Sequence, residues 1–242
     1  MQIMQLIADK QANPNTAKAP TIAFLGDSVT HGCFELNMGE NNRIDPVYDK
    51  AAAYHADLGR ILSVLYPSVQ VQIINAGING DGTNGGRGRL ERDVLCYHPD
   101  LTVVCFGLND VHGGEAGIKR YRNNLAEIFG KLKEAGSEVI FMTANMMNTD
   151  VSCLLTDEFL RNIAGRTMQL QNEGTFDLYF EAAKEVAAQY GVKVCDVYAK
   201  WKQMQKYGVN ITNMLSNFIN HPTREMHWLF AFSLLETMMQ DD

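Results

Sequence analysis

The 242-residue sequence has no long hydrophobic run and no cluster of basic residues. Its first 20 residues include Lys10 and Lys18 but lack the sustained apolar core of a secretory signal, and no later run is long enough to cross a bilayer. The net charge is −7, whereas nucleic acids and anionic membranes attract proteins with a basic surface. We therefore expect a cytoplasmic protein that has neither nucleic acid nor membrane as its partner.

The sequence is also poor in cysteine and has no Cys-x-x-Cys pair. Its five cysteines are scattered and odd in number, which argues against a disulfide framework and a zinc site. Those in or beside apolar runs are expected to be reduced and buried, namely Cys96, Cys105 and Cys195. No metal-ligand spacing links the histidines that we interpret as surface or loop residues, namely His55, His98 and His112.

Hydrophobic residues make up 46% of the chain and charged residues 20%, as is typical of a globular protein. Short apolar runs alternate with longer helical patterns, and this order predicts a parallel sheet with crossover helices. Strands are predicted near residues 21–25, 69–75, 101–106, 138–143 and 192–197. Helices are predicted over residues 51–66, 121–135, 176–190 and 224–239.

Five such strands joined by right-handed crossovers predict a flavodoxin-like α/β fold, a three-layer α/β/α sandwich. The length suits a single domain over residues 1–242, with residues 1–18 as an N-terminal extension. Residues 145–175 are long for a structureless connection, so we expect a partly helical insertion that borders the functional site. The methionines of this segment fill packing gaps or line an acyl pocket, and the pattern leaves both open.

The most informative segment is TIAFLGDSVTHG at residues 21–32, where a predicted buried strand ends abruptly in Gly26, Asp27 and Ser28. Open α/β sheets bind their ligands at the carboxyl ends of strands. Two structural interpretations compete with a chemical one. Asp27 or Ser28 could cap the next helix, and Gly26 and Gly32 could serve only a tight turn.

Three further segments follow in order: NAGINGDGT at 75–83, FGLND at 106–110 and NHP at 220–222. Together the four segments resemble the sequence blocks of the GDSL esterases, also called SGNH hydrolases, over most of the chain. The residues that give this family its name would be Ser28, Gly80, Asn109 and His221. The resemblance implies the SGNH hydrolase fold and acyl-transfer chemistry that uses neither metal nor cofactor.

Each of these four residues then has an expected role. Ser28 would be the nucleophile and His221 the base that takes its proton, with His31 as the competing base because it is close to Ser28 in sequence. The backbone N–H groups of Ser28 and Gly80 and the side-chain amide of Asn109 would form the oxyanion hole. Gly80 could instead be a turn glycine, and Asn109 could instead form an Asx turn.

Other residues near these positions are expected to be structural. Asp27, Asp110 and Asn75 would hold loops together by accepting backbone N–H bonds. His227, within the predicted last helix, would be packed or hydrogen-bonded.

The sequence departs from the family at one position. Most members have an aspartate three residues before the histidine, where this chain has Phe218. In the serine-protease template, replacing the corresponding aspartate by asparagine lowers kcat about 10,000-fold. Three groups could orient the His221 ring in place of this aspartate. They are a backbone carbonyl that accepts from Nδ1, which we prefer, the side-chain oxygen of Asn217 or Asn220, and the carboxylate of Glu225.

The resemblance implies a serine esterase for short-chain acyl esters, with O-acetyl groups on carbohydrate as the expected substrate, and the sequence indicates no oligomeric state. The missing aspartate motivates a second hypothesis, a catalytically degenerate protein that binds esters or sugars without turnover. A nucleotide-binding domain is disfavoured. The first strand is not followed by Gly-x-Gly-x-x-Gly, and the sequence has no Gly-Lys-Ser/Thr.

Overall fold

The computed structural model describes residues 1–40 and 43–240, so residues 41–42 and 241–242 of the predicted domain lie outside the described residues. The strands are β1 (Thr21–Gly26), β2 (Cys33–Met38), β3 (Ile44–Tyr48), β4 (Gln72–Gly77), β5 (Leu101–Cys105), β6 (Glu138–Met142) and β7 (Lys193–Cys195). The helices are α1 (Gln2–Ala12), α2 (Ser28–His31), α3 (Tyr54–Leu65), α4 (Thr83–Asp93), α5 (Gly114–Glu134), α6 (Glu158–Asn172), α7 (Thr175–Gln189), α8 (Val197–Lys206) and α9 (Arg224–Met239).

Five strands form a parallel sheet in the order β4-β1-β5-β6-β7. Strands β1 and β5 are buried along their whole length, as expected for strands that are covered on both faces. The register pairs Gly26 of β1 with Gly77 of β4 and with Cys105 of β5, so these three strands end side by side. The predicted five-stranded parallel sheet with helices on both sides is confirmed.

Two groups of helices cover this sheet. Helix α5 contacts α4 and α7, whereas α9 contacts α1, α3 and α8. The apolar face of α5 is buried in the main core through Leu125, Ile128, Phe129 and Leu132. Helix α9 has the predicted bounds, but α5 begins at Gly114 rather than at residue 121.

Strands β2 and β3 form an antiparallel hairpin that the sequence analysis does not predict. The hairpin is half-exposed and carries no continuous apolar run, which is why the pattern missed it. Its side chains Leu36, Met38 and Ile44 pack on a small apolar cluster that consists of Leu155, Leu160, Ala164 and Ile219. This cluster joins the hairpin to α6 and to the loop before His221.

Helices α1, α4 and α8 also lie outside the predicted elements. Helix α1 places Ile3 and Ile7 in the main core, and α6 occupies much of the segment 145–175. Within residues 1–40 and 43–240, no helix is both long and apolar enough to cross a membrane.

Two predictions of burial are wrong. Cys96 is exposed because it lies in a short 3-10 turn after α4, whereas Cys105 and Cys195 are buried. His55 is buried in the first turn of α3, where its ring centroid lies 5.7 Å from that of Phe24. His55 is buried because its position in α3 places it on the face that packs against the sheet.

Candidate active site

The end of β1 forms the turn that carries Ser28. Strand β1 ends at Gly26, the Asp27 carboxylate caps α2 by accepting a backbone N–H at 3.0 Å, and Ser28 is the first residue of α2. A Cβ on Gly26 would overlap the Thr30 side chain and the Cys105 carbonyl, so only glycine fits there. The first amide of a helix has no intrahelical acceptor, which makes the Ser28 N–H a candidate donor to a ligand.

Ser28 and His221 are hydrogen-bonded, although they lie 193 positions apart in the chain. His221 Nε2 lies 2.9 Å from Ser28 Oγ, and His221 Nδ1 lies 2.9 Å from the backbone oxygen of Phe34. A carbonyl oxygen only accepts, so Nδ1 carries the ring proton and Nε2 accepts from the Ser28 hydroxyl. This tautomer can take a proton from Ser28.

Burial keeps the His221 ring neutral. Burial lowers the pKa of His221 to about 4, while the hydrogen bond to the Phe34 carbonyl and the charge of Glu35 act in the opposite direction. At neutral pH the imidazole is therefore an unprotonated base.

The residue in place of the usual aspartate does not contribute an acceptor. Phe218 has a φ of 56°, in the left-handed region that residues other than glycine rarely adopt. The Asn217 side-chain oxygen accepts the backbone N–H of His221 at 2.9 Å and also those of Ile219 and Asn220. Asn217 therefore shapes the turn that presents His221, and it is the Phe34 carbonyl that holds the ring.

Glu225 lies in the first turn of α9. Hydrogen bonds from its own backbone N–H and from the Thr223 side chain lower its pKa. Its carboxylate thus stabilises the N-terminus of α9, as an acidic residue in a first turn usually does.

Gly80 and Asn109 lie together in a pocket of about 420 Å³ at the carboxyl edge of the sheet. Gly80 has a φ of 75°, in the left-handed region that favours glycine. Asn109 Nδ2 donates to the backbone oxygen of Asp81 at 2.7 Å. This bond fixes the amide beside the Gly80 loop, and the same nitrogen carries a second N–H.

Three predicted loop-holding residues accept backbone N–H bonds. Asp110 accepts the Thr83 N–H at 3.0 Å and the Thr83 hydroxyl at 2.5 Å. Asn75 accepts the Gly77 N–H at 2.9 Å, and Asp27 caps α2. The Asp110 bonds tie the loop after β5 to the start of α4, whereas the Asp27 and Asn75 bonds each shape their own turn.

The Asp27 carboxylate is fully buried. Burial raises its pKa to about 7; the Val29 N–H opposes this shift, and the charges of Asp110 and Asp81 add to it. Among the residues that the structure describes, its second oxygen has no hydrogen-bond partner. An ionised Asp27 is therefore costly in the folded protein.

Arg89, a buried residue of α4, is not among the residues predicted from the sequence. Its guanidinium donates to the carbonyls of Gly26 at 2.9 Å and Ala76 at 2.6 Å, and to Asp81 Oδ2 at 2.7 Å. Arg89 thus joins the ends of β1 and β4 to the loop that carries Gly80. The polar, glycine-rich α4 also contains Arg87 and Arg92, and no periodic signal separates Arg89 from them, so only its burial marks it.

The other candidate histidines have different partners. His31 Nδ1 accepts the Asn79 N–H at 3.3 Å, and its ring centroid lies 4.7 Å from that of Tyr48. His227 is buried, and its Nδ1 accepts the Tyr54 N–H at 3.0 Å. The geometry around Ser28 therefore favours His221 over His31 as its base.

The chain matches the GDSL-like lipase/acylhydrolase family over residues 24–229. It belongs to this family, and the resemblance carried by the four sequence blocks is confirmed.

Curated relatives match over part of the chain. An acetylxylan esterase of Geobacillus stearothermophilus is 29% identical over 90 residues, which are 37% of this chain and 39% of that protein. An arylesterase of Vibrio mimicus is 34% identical over 74 residues, which are 30% of this chain and 36% of that protein. The matched segments thus span less than two-fifths of either relative.

The structure resembles that of a variant acetyl-xylooligosaccharide esterase from Geobacillus stearothermophilus. The TM-score is 0.68 at 20% sequence identity, and the superposition covers 92% of this chain and 95% of the other. At this level of identity the likeness establishes the fold.

Proposed function

We propose that the protein is a serine esterase, a carboxylic ester hydrolase that works through an acyl-enzyme on Ser28. The observation that carries this proposal is the 2.9 Å approach of His221 Nε2 to Ser28 Oγ, with Nδ1 held by the Phe34 carbonyl. A protein that only bound esters would not need a base on this hydroxyl.

The proposed reaction has two halves. Ser28 Oγ attacks the ester carbonyl carbon while His221 Nε2 takes the hydroxyl proton, and the negative oxygen accepts from the Ser28 N–H, the Gly80 N–H and Asn109 Nδ2. His221 then gives its proton to the leaving alcohol, which leaves the acyl group on Ser28. Water then attacks the acyl-enzyme while the same imidazole takes its proton, and this proton passes to Ser28 Oγ as the bond to the acyl group breaks and the acid leaves.

For the substrate we infer short-chain acyl esters, with O-acetyl groups on carbohydrate as the first class to test. Support comes from a relative that is an acetylxylan esterase and a similar structure that is an acetyl-xylooligosaccharide esterase. The pocket at Gly80 and Asn109 is also lined by Asn84, Asp110 and Arg120, and these polar side chains suit a polar alcohol group of the substrate. The arylesterase relative makes aryl acetates the natural comparison.

The test compares wild type with Ser28→Ala on p-nitrophenyl acetate, butyrate and octanoate and on acetylated xylo-oligosaccharides. We expect hydrolysis that declines with acyl length, loss of hydrolysis in Ser28→Ala, and a fluorophosphonate adduct on Ser28 by mass spectrometry. Equal rates in the two proteins, or an adduct on another residue, would contradict the mechanism. Absence of both hydrolysis and adduct in wild type would instead support a protein that binds esters or sugars without turnover.

A further inference from the structure

Arg224 joins the segment that carries His221 to the hairpin that supplies its carbonyl acceptor. Its Nη1 and Nη2 donate to the two carboxylate oxygens of Glu35 at 2.6 and 3.1 Å, and its Nε donates to Asp49 Oδ2 at 3.0 Å. Its guanidinium carbon lies 4.3 Å from the centroid of the Phe34 ring. One side chain thus contacts three residues of the β2–β3 region.

These contacts bear directly on the hydrogen bond between His221 and the hairpin. Glu35 follows Phe34 in β2, so a fixed Glu35 also fixes the neighbouring Phe34 carbonyl. Arg224 lies three residues beyond His221, and the intervening Pro222 has a locked φ. A bidentate arginine–carboxylate pair has a defined geometry that a single ammonium contact lacks. The Arg224 contacts therefore help to fix the distance between His221 Nδ1 and the Phe34 carbonyl.

The cluster also carries charge. Glu35 and Asp49 contribute two negative charges and Arg224 one positive charge, so the cluster is net negative beside a ring that becomes a cation during acyl transfer. The charge of Glu35 raises the pKa of His221. His227, which is buried on α9 together with Arg224, is neutral because burial lowers its pKa to about 3. The Glu35 carboxylate is thus the acidic group that acts on His221.

We propose that Glu35 and Arg224 are positioning residues for the Ser28–His221 pair, supplying through the hairpin the orientation and negative charge that an aspartate at position 218 supplies in most relatives. The inference rests on the proposed esterase function. Glu35 and Arg224 are each about one-third exposed, so their effect is screened by solvent and is smaller than that of an aspartate bonded to the ring.

The experiment uses two variants with opposite expected effects on the His221 pKa. Glu35→Gln keeps the side-chain shape but removes the negative charge, so the pKa of His221 falls. Arg224→Met removes the cation and leaves Glu35 unpaired, so the pKa of His221 rises. Both variants lower kcat, by about 10-fold, with KM changed less than kcat. Histidine-selective NMR titration gives the pKa, and steady-state kinetics on the acetyl ester gives kcat.

Two further variants separate positioning from a general loss of structure. Glu35→Asp keeps the charge and should restore the pKa of His221 toward that of wild type. Glu236→Gln is the matched control. Glu236 is an exposed residue near the other end of α9, where it pairs with Lys200 of α8. We expect wild-type kcat and a wild-type His221 pKa in this control. Thermal unfolding of each variant verifies that it is folded.

The inference is overturned if Glu35→Gln and Arg224→Met leave the pKa of His221 where Glu236→Gln leaves it, or shift it in the same direction. This readout needs no turnover, so it is independent of the esterase proposal. Failure of that proposal shows in wild type alone, as the absence of ester hydrolysis and of the Ser28 adduct.

Discussion

Two regions of the molecule form the site by different means. At the sheet edge, the loops that follow β1, β4 and β5 carry Ser28, Gly80 and Asn109, and they rest on strands within the main core. On the hairpin side, β2, β3 and residues 215–224 hold His221 above a small separate apolar cluster. Ser28, Gly80 and Asn109 thus depend on the main core, whereas His221 depends on the small apolar cluster.

This difference indicates how the chain manages without the usual aspartate. At the sheet edge, each of the three loops carries one of the residues predicted from the motifs. The hairpin side replaces one side-chain acceptor by a backbone carbonyl, which any residue could supply. We expect substitutions at the sheet edge to act mainly on chemistry or on global stability, and substitutions on the hairpin side to act on both together.

The largest effect is expected from the pair that bridges the two regions. Ser28→Ala and His221→Ala should each lower kcat at least about 10,000-fold, because each removes a group on which acyl transfer depends. Ser63→Ala, at an exposed serine of α3, is the control and should have wild-type kcat. Ester hydrolysis measures all three, and substantial residual activity in His221→Ala would point to another base.

A smaller effect is expected from one oxyanion donor at the sheet edge. Asn109→Ala should lower kcat about 100- to 1,000-fold, the usual cost of removing such a donor, with little change in KM. Asn84→Ala, in the same pocket, is the matched control and should change kcat far less. Similar losses in the two variants would show that Asn109 acts through the pocket's structure and not through the oxyanion.

The two apolar cores provide a direct comparison. Leu132→Ala, in α5 of the main core, should lower the free energy of unfolding by about 4 kcal/mol and leave kcat unchanged. Leu160→Ala, in the small cluster under the hairpin, should cost about 2 kcal/mol but lower kcat several-fold, because it loosens the support of His221. Urea unfolding and ester hydrolysis test both, and an unchanged kcat in Leu160→Ala would break the comparison.

The last comparison between the two regions is a pair of opposite pH dependences of stability. The folded-state pKa of Asp27 is raised from 3.8 to about 7, so Asp27 costs stability as pH rises through that window. The folded-state pKa of His221 is lowered from 6.5 to about 4, so His221 costs stability as pH falls through that window. The two regions therefore respond to pH with opposite signs.

Asp27→Asn keeps an oxygen that can cap α2 but cannot ionise. At pH 8 it should be more stable than wild type by up to about 4 kcal/mol, because each unit of the pKa shift corresponds to about 1.4 kcal/mol, and near pH 4 the difference should vanish. His221→Gln should reduce the loss of stability between pH 6.5 and pH 4. Urea unfolding across this range measures both, and a pH-independent effect of Asp27→Asn would contradict a buried, ionising carboxylate.

The sequence analysis predicts much of the sheet edge. Residues 21–25 and 101–106 are apolar runs long enough to reveal buried strands, and parallel strands necessarily bring their carboxyl ends to one edge. Ser28, Gly80 and Asn109, which follow the strands, are therefore predicted to lie near one another. The pattern does not predict helix α4, because its glycine-rich sequence has no apolar face; its buried residues are Thr83, Gly86, Arg89 and Leu90.

On the hairpin side the sequence predicts much less. The motif identifies His221, and a backbone carbonyl is the preferred acceptor for its Nδ1, but nothing in the sequence indicates which carbonyl. Strands β2 and β3 are short and half-polar, so they lack the pattern of a buried strand. Arg224 and Glu35 are ordinary charged residues until the fold brings them together.

By itself the sequence determined the parallel sheet and the four motif residues, because apolar periodicity is local and side-chain chemistry is written in residue identity. Only the tertiary structure decided that Phe34 holds His221 and that Arg224 ties the hairpin to α9. Every residue has a backbone carbonyl, and an ion pair across 189 positions has no local signature. Contacts of this kind depend on the packing of distant segments.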